Sequence, residues 1–145
     1  MVEQTKEKVY KVPNLAVDAI VTKQVMTQCA GGGSGEPVES VEEHEILLIT
    51  RGRDPFKGMY AYPGGFVDYG EDPANSVIRE LKEECCMDGA KPELICVAGA
   101  PDRDPRKHVV SIVYSVEVNP NQPPRAEDDA ASAEWYPLRE VVDNF

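Results

Sequence analysis

The sequence predicts a single α+β domain. Three observations carry this: strand-like apolar runs outnumber helical ones, the order of elements is mixed rather than strictly alternating, and one strongly amphipathic helix falls in mid-chain. At 145 residues, 1–145 reads as one folded unit. Residues of the AVILMFWYC set make up 41% of the chain, and the 11 glycines bring the apolar share into the globular range of ~45 to 50%. Wholesale disorder is excluded.

The elements follow in order. Residues 16–22 (AVDAIVT) are β-branched and half alternating, as in a strand. Residues 24–44 then read as a flexible loop insertion, because glycines at 31, 32, 33 and 35 and an acidic continuation break any pattern. Glu45 to Thr50 holds Ile46, Leu47, Leu48 and Ile49, a short buried strand. Pro63, Gly64 and Gly65 form a turn expected to end any strand there. A helix begins at Asp72, a capping residue followed by Pro73, whose missing N–H costs nothing at a first helical position. It is expected to reach Cys86 or Met87. Leu94 to Ala98 and Val109 to Val118 read as strands flanking a charged loop, Asn119 to Asp129 as a loop, and Glu134 to Tyr136 as a short strand before a closing helix.

Charge narrows the partners. Fifteen Lys and Arg against 26 Asp and Glu give −11, which repels nucleic acid and anionic membrane surfaces. An anionic substrate would need a cation between itself and the protein. Charged residues Glu3, Lys6, Glu7, Lys8 and Lys11 occupy the stretch where an export signal needs apolar residues, and no run of ~20 apolar residues exists. Four cysteines without CxxC spacing fit reduced thiols. A cytoplasmic location without nucleic-acid or membrane partners is the expectation.

The helix carries the chemistry. At 100° per residue, Ala74, Val77, Ile78, Leu81 and Cys85 share one arc, the core face. Glu80, Glu83 and Glu84, spaced i, i+3 and i+4, gather in a second arc beside it. Three clustered carboxylates oppose folding, and a solvated acidic face would lie opposite the core and alternate with lysines. A divalent cation reverses the repulsion, and oxygen donors favour Mg²⁺ or Mn²⁺ over Zn²⁺.

The segment from Gly65 through Glu71, then seven residues, then Arg79-Glu80-Leu81-Lys82-Glu83-Glu84 resembles the Nudix box, GX5EX7REUXEEXGU with U aliphatic. All six fixed positions up to Glu84 match, and with each fixed type at roughly 6% a chance match has odds on the order of 10⁻⁸. Cys86 stands where the box has its last glycine, so the helix either keeps a left-handed end at ~1 to 2 kcal/mol or runs on toward Gly89. The resemblance implies the Nudix α/β/α sandwich with a central mixed sheet. It also implies Mg²⁺-dependent hydrolysis of a nucleoside diphosphate linked to another group, Mn²⁺ serving as substitute. Glu80, Glu83, Glu84 and the Gly65 carbonyl would hold metal, Glu71 would support the loop, and Arg79 would orient a glutamate.

Residues 61–68 with the Pro101 to Arg106 segment and Ser111 are similar to the ADP-ribose pyrophosphatase branch. Arg103 and Arg106 could grip phosphate or ribose, or tie their own loop through Arg–Asp pairs. Arg51 is a further candidate for substrate binding. A late acidic loop in relatives brings a general base over the metals, and here Glu127, Asp128 and Asp129 are the candidates, with Glu127 first for its reach. Cleavage of ADP-ribose to AMP and ribose 5-phosphate is therefore the expected reaction. The rivals are a triphosphate or other nucleotide-sugar pyrophosphohydrolase and a non-cutting nucleotide sensor, which the intact glutamates and the acidic charge disfavour. A homodimer is expected only by analogy to that branch.

Overall fold

The computed structural model describes residues 11–28 and 40–144. Among these residues, two four-stranded sheets and two helices make up the fold. The first sheet has the order β5-β1-β7-β6, built from β1 (Asn14–Ile20), β5 (Gly64–Phe66), β6 (Gly89–Ala98) and β7 (Val109–Val118). It is mixed: β1 runs parallel to β7, with Asp18 opposite Val113, while β5 and β6 are antiparallel to their neighbours. The second sheet is antiparallel, with β3 (Ser40–Arg51) between β2 (Thr22–Gln28) and β8 (Ala130–Pro137) and with β4 (Tyr60–Ala61) pairing its end. The Leu47 N–H donates to Val21 O at 2.9 Å, so the two sheets join where β1 passes into β2.

Alternation along β1 explains its placement. Val17 and Ala19 are fully buried and turn toward the core, while Ala16 and Asp18 face the other way. Helix α1 (Pro73–Cys85) closes the core with Val77, Leu81 and Cys85, all fully buried, and with Ala74 and Ile78 half-buried. Full burial of Val77 and of Leu81 contributes about 1.5 to 3 kcal/mol each. Helix α2 (Leu138–Asn144) packs on β3 and β8.

Four expectations are corrected. Residues 24–28 and 40–44 are not loop but the paired ends of β2 and β3, with Gln28 opposite Ser40; residues 29–39 lie outside the described residues. This hairpin is held by polar pairs rather than burial: Lys23 to Glu45 at 2.9 Å, Thr27 to Glu43 at 3.2 Å, and Gln24 to Glu42. The Pro-Gly-Gly segment does not end strand structure, because Gly64 to Phe66 pair with β1 as β5. Only glycine permits that approach: a Cβ on Gly64 would lie 2.1 Å from Val17 O. The helix stops at Cys85 and does not run toward Gly89. Finally, β8 spans eight residues, longer than the Glu134 to Tyr136 core of it that the pattern suggested.

Candidate active site

The local chain builds the acidic helix from its start. Asp72 caps α1 by accepting from Ala74 N at 2.8 Å, and Pro73 occupies the first turn. Just before it, Glu71 accepts from Ser76 Oγ, from Asp68 N at 3.3 Å, and from Arg79 through Nε at 3.0 Å and Nη2 at 2.9 Å. The Arg79 and Ser76 bonds hold the Glu71 carboxyl down to about 2. Arg79 in turn reaches Glu80 at 2.7 Å and Glu83 at 3.2 Å, and donates to Phe66 O at 3.2 Å. Glu71 fixes the arginine, and the arginine fixes two of the three acids.

Glu84 sits deeper. It is 6% exposed and accepts from Gly64 N at 2.9 Å. Burial pushes its carboxyl up to about 7, the Gly64 bond opposing and the nearby Glu80 adding repulsion. Glu80 is raised as well, again by burial first and against the pull of Arg79. Its carboxyl packs directly on Gly65, where a Cβ would lie 2.4 Å from Glu80 Cδ. Glu83 stands at the rim with a side chain 47% exposed.

These acids form one wall of a cleft of about 770 Å³. The predicted arginines all line it, in two different states. Arg106 is paired with Asp104 through Nε at 3.0 Å and Nη2 at 2.7 Å, so the Arg–Asp tie holds for this residue. Arg51 donates from Nε to Pro55 O at 2.9 Å and has no ion pair among the described residues, nor does Arg103. Those two guanidiniums are available to an anion.

The late acidic loop reaches the cleft, but not through the acid ranked first. Glu127 does not line the cavity; its carboxylate accepts from the Cys86 thiol at the far end of α1. Asp128 and Asp129 line it instead, close enough that Asp128 raises Glu80 and Asp129 raises Glu84. Reach is a poor guide here because the backbone decides the direction. The last carbonyls of a helix lack partners within it. In α1 they are taken by this loop: Glu127 N donates to Glu84 O at 3.0 Å, Arg125 N to Cys85 O at 2.9 Å, and Gln122 Nε2 to Cys86 O at 2.8 Å. On the opposite side, Gly52 N donates to Asp129 O at 2.8 Å. Between these ties Asp128 has φ 51, a left-handed backbone that non-glycine residues adopt rarely and mostly as Asn or Asp.

Asp18, Phe56 and Phe66 are cleft residues to which the sequence pattern assigns no role. Asp18 lies on the cleft face of β1, and its signal was present: a charge inside an apolar strand run, on the side opposite Val17 and Ala19. Phe56 and Phe66 line the cavity at 47% and 41% exposure, and Phe66 carries the Lys107 ammonium 4.4 Å from its ring centre. Tyr60, also on the cleft, stacks edge-on against Tyr136 at 5.0 Å.

A divalent cation suits this donor set. The available ligands are oxygens, two of them on carboxyls raised by burial and mutual repulsion, which a cation would relieve. Among the described residues no three acids already enclose a single point, Arg79 holding Glu80 and Glu83 by ion pairs. The donors match in kind, with Glu80 against Gly65 and Glu84 on Gly64 N–H.

Comparison with known proteins agrees with this architecture. The chain is 38% identical over 136 residues to an ADP-ribose pyrophosphatase of Methanocaldococcus jannaschii, covering 94% of this chain and 69% of that protein. A MutT/nudix family protein from Enterococcus faecalis superposes with a TM-score of 0.74 at 32% identity, over 92% of this chain and 47% of that one. A bifunctional NMN adenylyltransferase/ADP ribose pyrophosphatase from Francisella tularensis, complexed with AMP and a Mn ion, gives 0.68 at 26% identity, over 95% of this chain and 38% of that one. The chain therefore spans less than half the length of these two solved relatives. A model of the NUDIX domain matches residues 38–145, which include the whole acidic helix, its supporting Glu71 and the late loop, and the chain belongs to that family.

Proposed function

We propose that the cleft hydrolyses the pyrophosphate bond of ADP-ribose to AMP and ribose 5-phosphate. The chain is a Nudix hydrolase, and divalent-metal dependence goes with that class. Mg²⁺ is the proposed ion, with Mn²⁺ as substitute, held by Glu80, Glu83, Glu84 and the Gly65 carbonyl. When bound, the ion neutralises the diphosphate and makes a water more acidic.

The protein's own groups do the rest. Arg51 and Arg103 face the substrate's phosphate and sugar oxygens, being cleft guanidiniums without carboxylate partners. Arg79, fixed by Glu71, orients Glu80 and Glu83. Asp128 takes the proton of the attacking water as its oxygen bonds to phosphorus and the bridging P–O bond breaks. A carboxylate that holds the metal is a weaker acceptor than one beside it, which favours Asp128 over the helix acids. The observation that carries the reading is the meeting of buried Glu84 and half-buried Glu80 with Arg51 and Arg103, neither of them ion-paired among the described residues, in one cleft. A protein of charge −11 needs both to hold a diphosphate. Free thiols at Cys85, Cys86 and Cys96 support a cytoplasmic setting.

The test is a substrate panel with Mg²⁺, in which ADP-ribose is cut faster than ATP or dGTP. A triphosphate ahead by about tenfold, ~1.4 kcal/mol of transition-state preference, overturns the assignment.

A further inference from the structure

Asp18 is a carboxylate that the chemistry above does not use. It projects from β1 into the cleft between Gly64 of β5, its register partner, and Ser111 of β7. Ser111 is 1% exposed, and its hydroxyl donates to Asp18 Oδ2. The other oxygen, Oδ1, lies on the Gly64 side, where a Cβ would come within 3.0 Å of it. Among the described residues no N–H or second O–H occupies Oδ1 and no cation is ion-paired with Asp18. Arg103 also lines the cleft and attracts Asp18 without an ion pair. Burial raises the carboxyl, so the fold keeps it there at a cost.

Such a group selects by chemistry. A carboxylate only accepts hydrogen bonds and repels phosphate, so the cleft at this point suits a neutral donor. A guanidinium beside it supplies only donors. An acceptor next to a donor matches adjacent hydroxyl groups, each of which gives one bond and takes one. We propose that Asp18, braced by Ser111 and working with Arg103, is a subsite for the vicinal diol of a ribose. The proposal rests on the ADP-ribose reading and deepens it by naming the group that recognises a ribose of that substrate.

Two riboses in ADP-ribose carry that chemistry, and the experiment separates them. Asp18→Asn keeps the shape and an oxygen for Ser111 while removing the charge, and Asp18→Ala removes the acceptor. Each variant is compared with wild type on ADP-ribose, on analogues lacking a 2-hydroxyl on the terminal or on the adenosine ribose, and on the hypoxanthine analogue. Asp18→Asn is expected to lower kcat/KM on ADP-ribose by about 10- to 100-fold, the range for a lost hydrogen bond to a charged group, and Asp18→Ala by at least as much. On the analogue missing the contacted hydroxyl, variant and wild type should agree within about threefold, because a lost contact cannot be lost twice. The analogue that shows this convergence names the ribose. Equal fractional losses on every substrate would mean that Asp18 only ties β1 to β7, and convergence on the hypoxanthine analogue alone would mean that it reads the base; either overturns the proposal. Absence of ADP-ribose turnover by the wild type, with triphosphate turnover intact, would instead remove the functional reading beneath it.

Discussion

Glu84 shows at the scale of one residue how fold and activity oppose each other. Its carboxyl is raised from an ordinary value of 4.5 to about 7, so the folded protein holds the proton longer than the unfolded chain does. That contribution is complete below pH 4.5 and is lost as pH rises through about 7. In EDTA the protein should lose stability across this window, by ~3 kcal/mol if Glu84 acts alone. Glu84→Gln should remove most of the slope in a denaturant series, leaving the part due to Glu80, while losing most activity at limiting Mg²⁺. Retention of wild-type turnover within about threefold would remove Glu84 from the metal site. Glu71, held down to about 2, acts in the opposite sense and at lower pH, losing its contribution only below 4.5, so the windows do not overlap. The proton acceptor makes a second residue-scale contrast. Asp128→Asn should lower kcat by ~10² to 10⁴ with little change in Mg²⁺ affinity, whereas Glu127→Gln, outside the cleft, should cost less than about tenfold. The reverse order restores Glu127 as the base.

At the scale of elements, α1 was legible because capping, periodicity and acid spacing all point the same way. The β2–β3 hairpin was not, because Gln24, Thr27, Glu42 and Glu43 bond to one another and leave no buried alternation to read. The box glutamates could be named from spacing, but the direction of Glu127 could not, since it follows from carbonyls of α1 capped by a loop 36 residues away from Cys86 at Gln122. Cys86 marks the same junction. It keeps the left-handed end at φ 56, with its N–H on Lys82 O at 3.0 Å, where the box has glycine. Cys86→Gly should relieve that backbone and raise stability by ~1 kcal/mol, the Glu127 bond and the added chain freedom offsetting part of the gain. A lowered melting temperature would mean that the thiol contact outweighs the strain.

For the whole molecule, charge is the organising constraint. A net −11 with acids clustered at the cleft makes the metal-free protein repel itself as well as its substrate. Millimolar Mg²⁺ should raise the melting temperature of the wild type and leave a Glu83→Gln, Glu84→Gln double variant nearly unmoved. Equal shifts in both would assign the effect to general screening. Among the described residues no helix is long and apolar enough to cross a membrane. The loop that caps α1 has one more effect. A surface loop ordinarily opens and closes on its own, at little free energy, and its amides exchange with solvent quickly. Here the Arg125 and Glu127 amides are bonded to Cys85 and Glu84 carbonyls, so they exchange only when loop and helix end part, and they should exchange more slowly than the amides of an untied surface loop. Tied in this way, the acid at the cleft is expected to share the slow breathing of the helix end rather than the fast motion of the surface, and amide exchange at Arg125 and Glu127 as fast as in a free loop would contradict it.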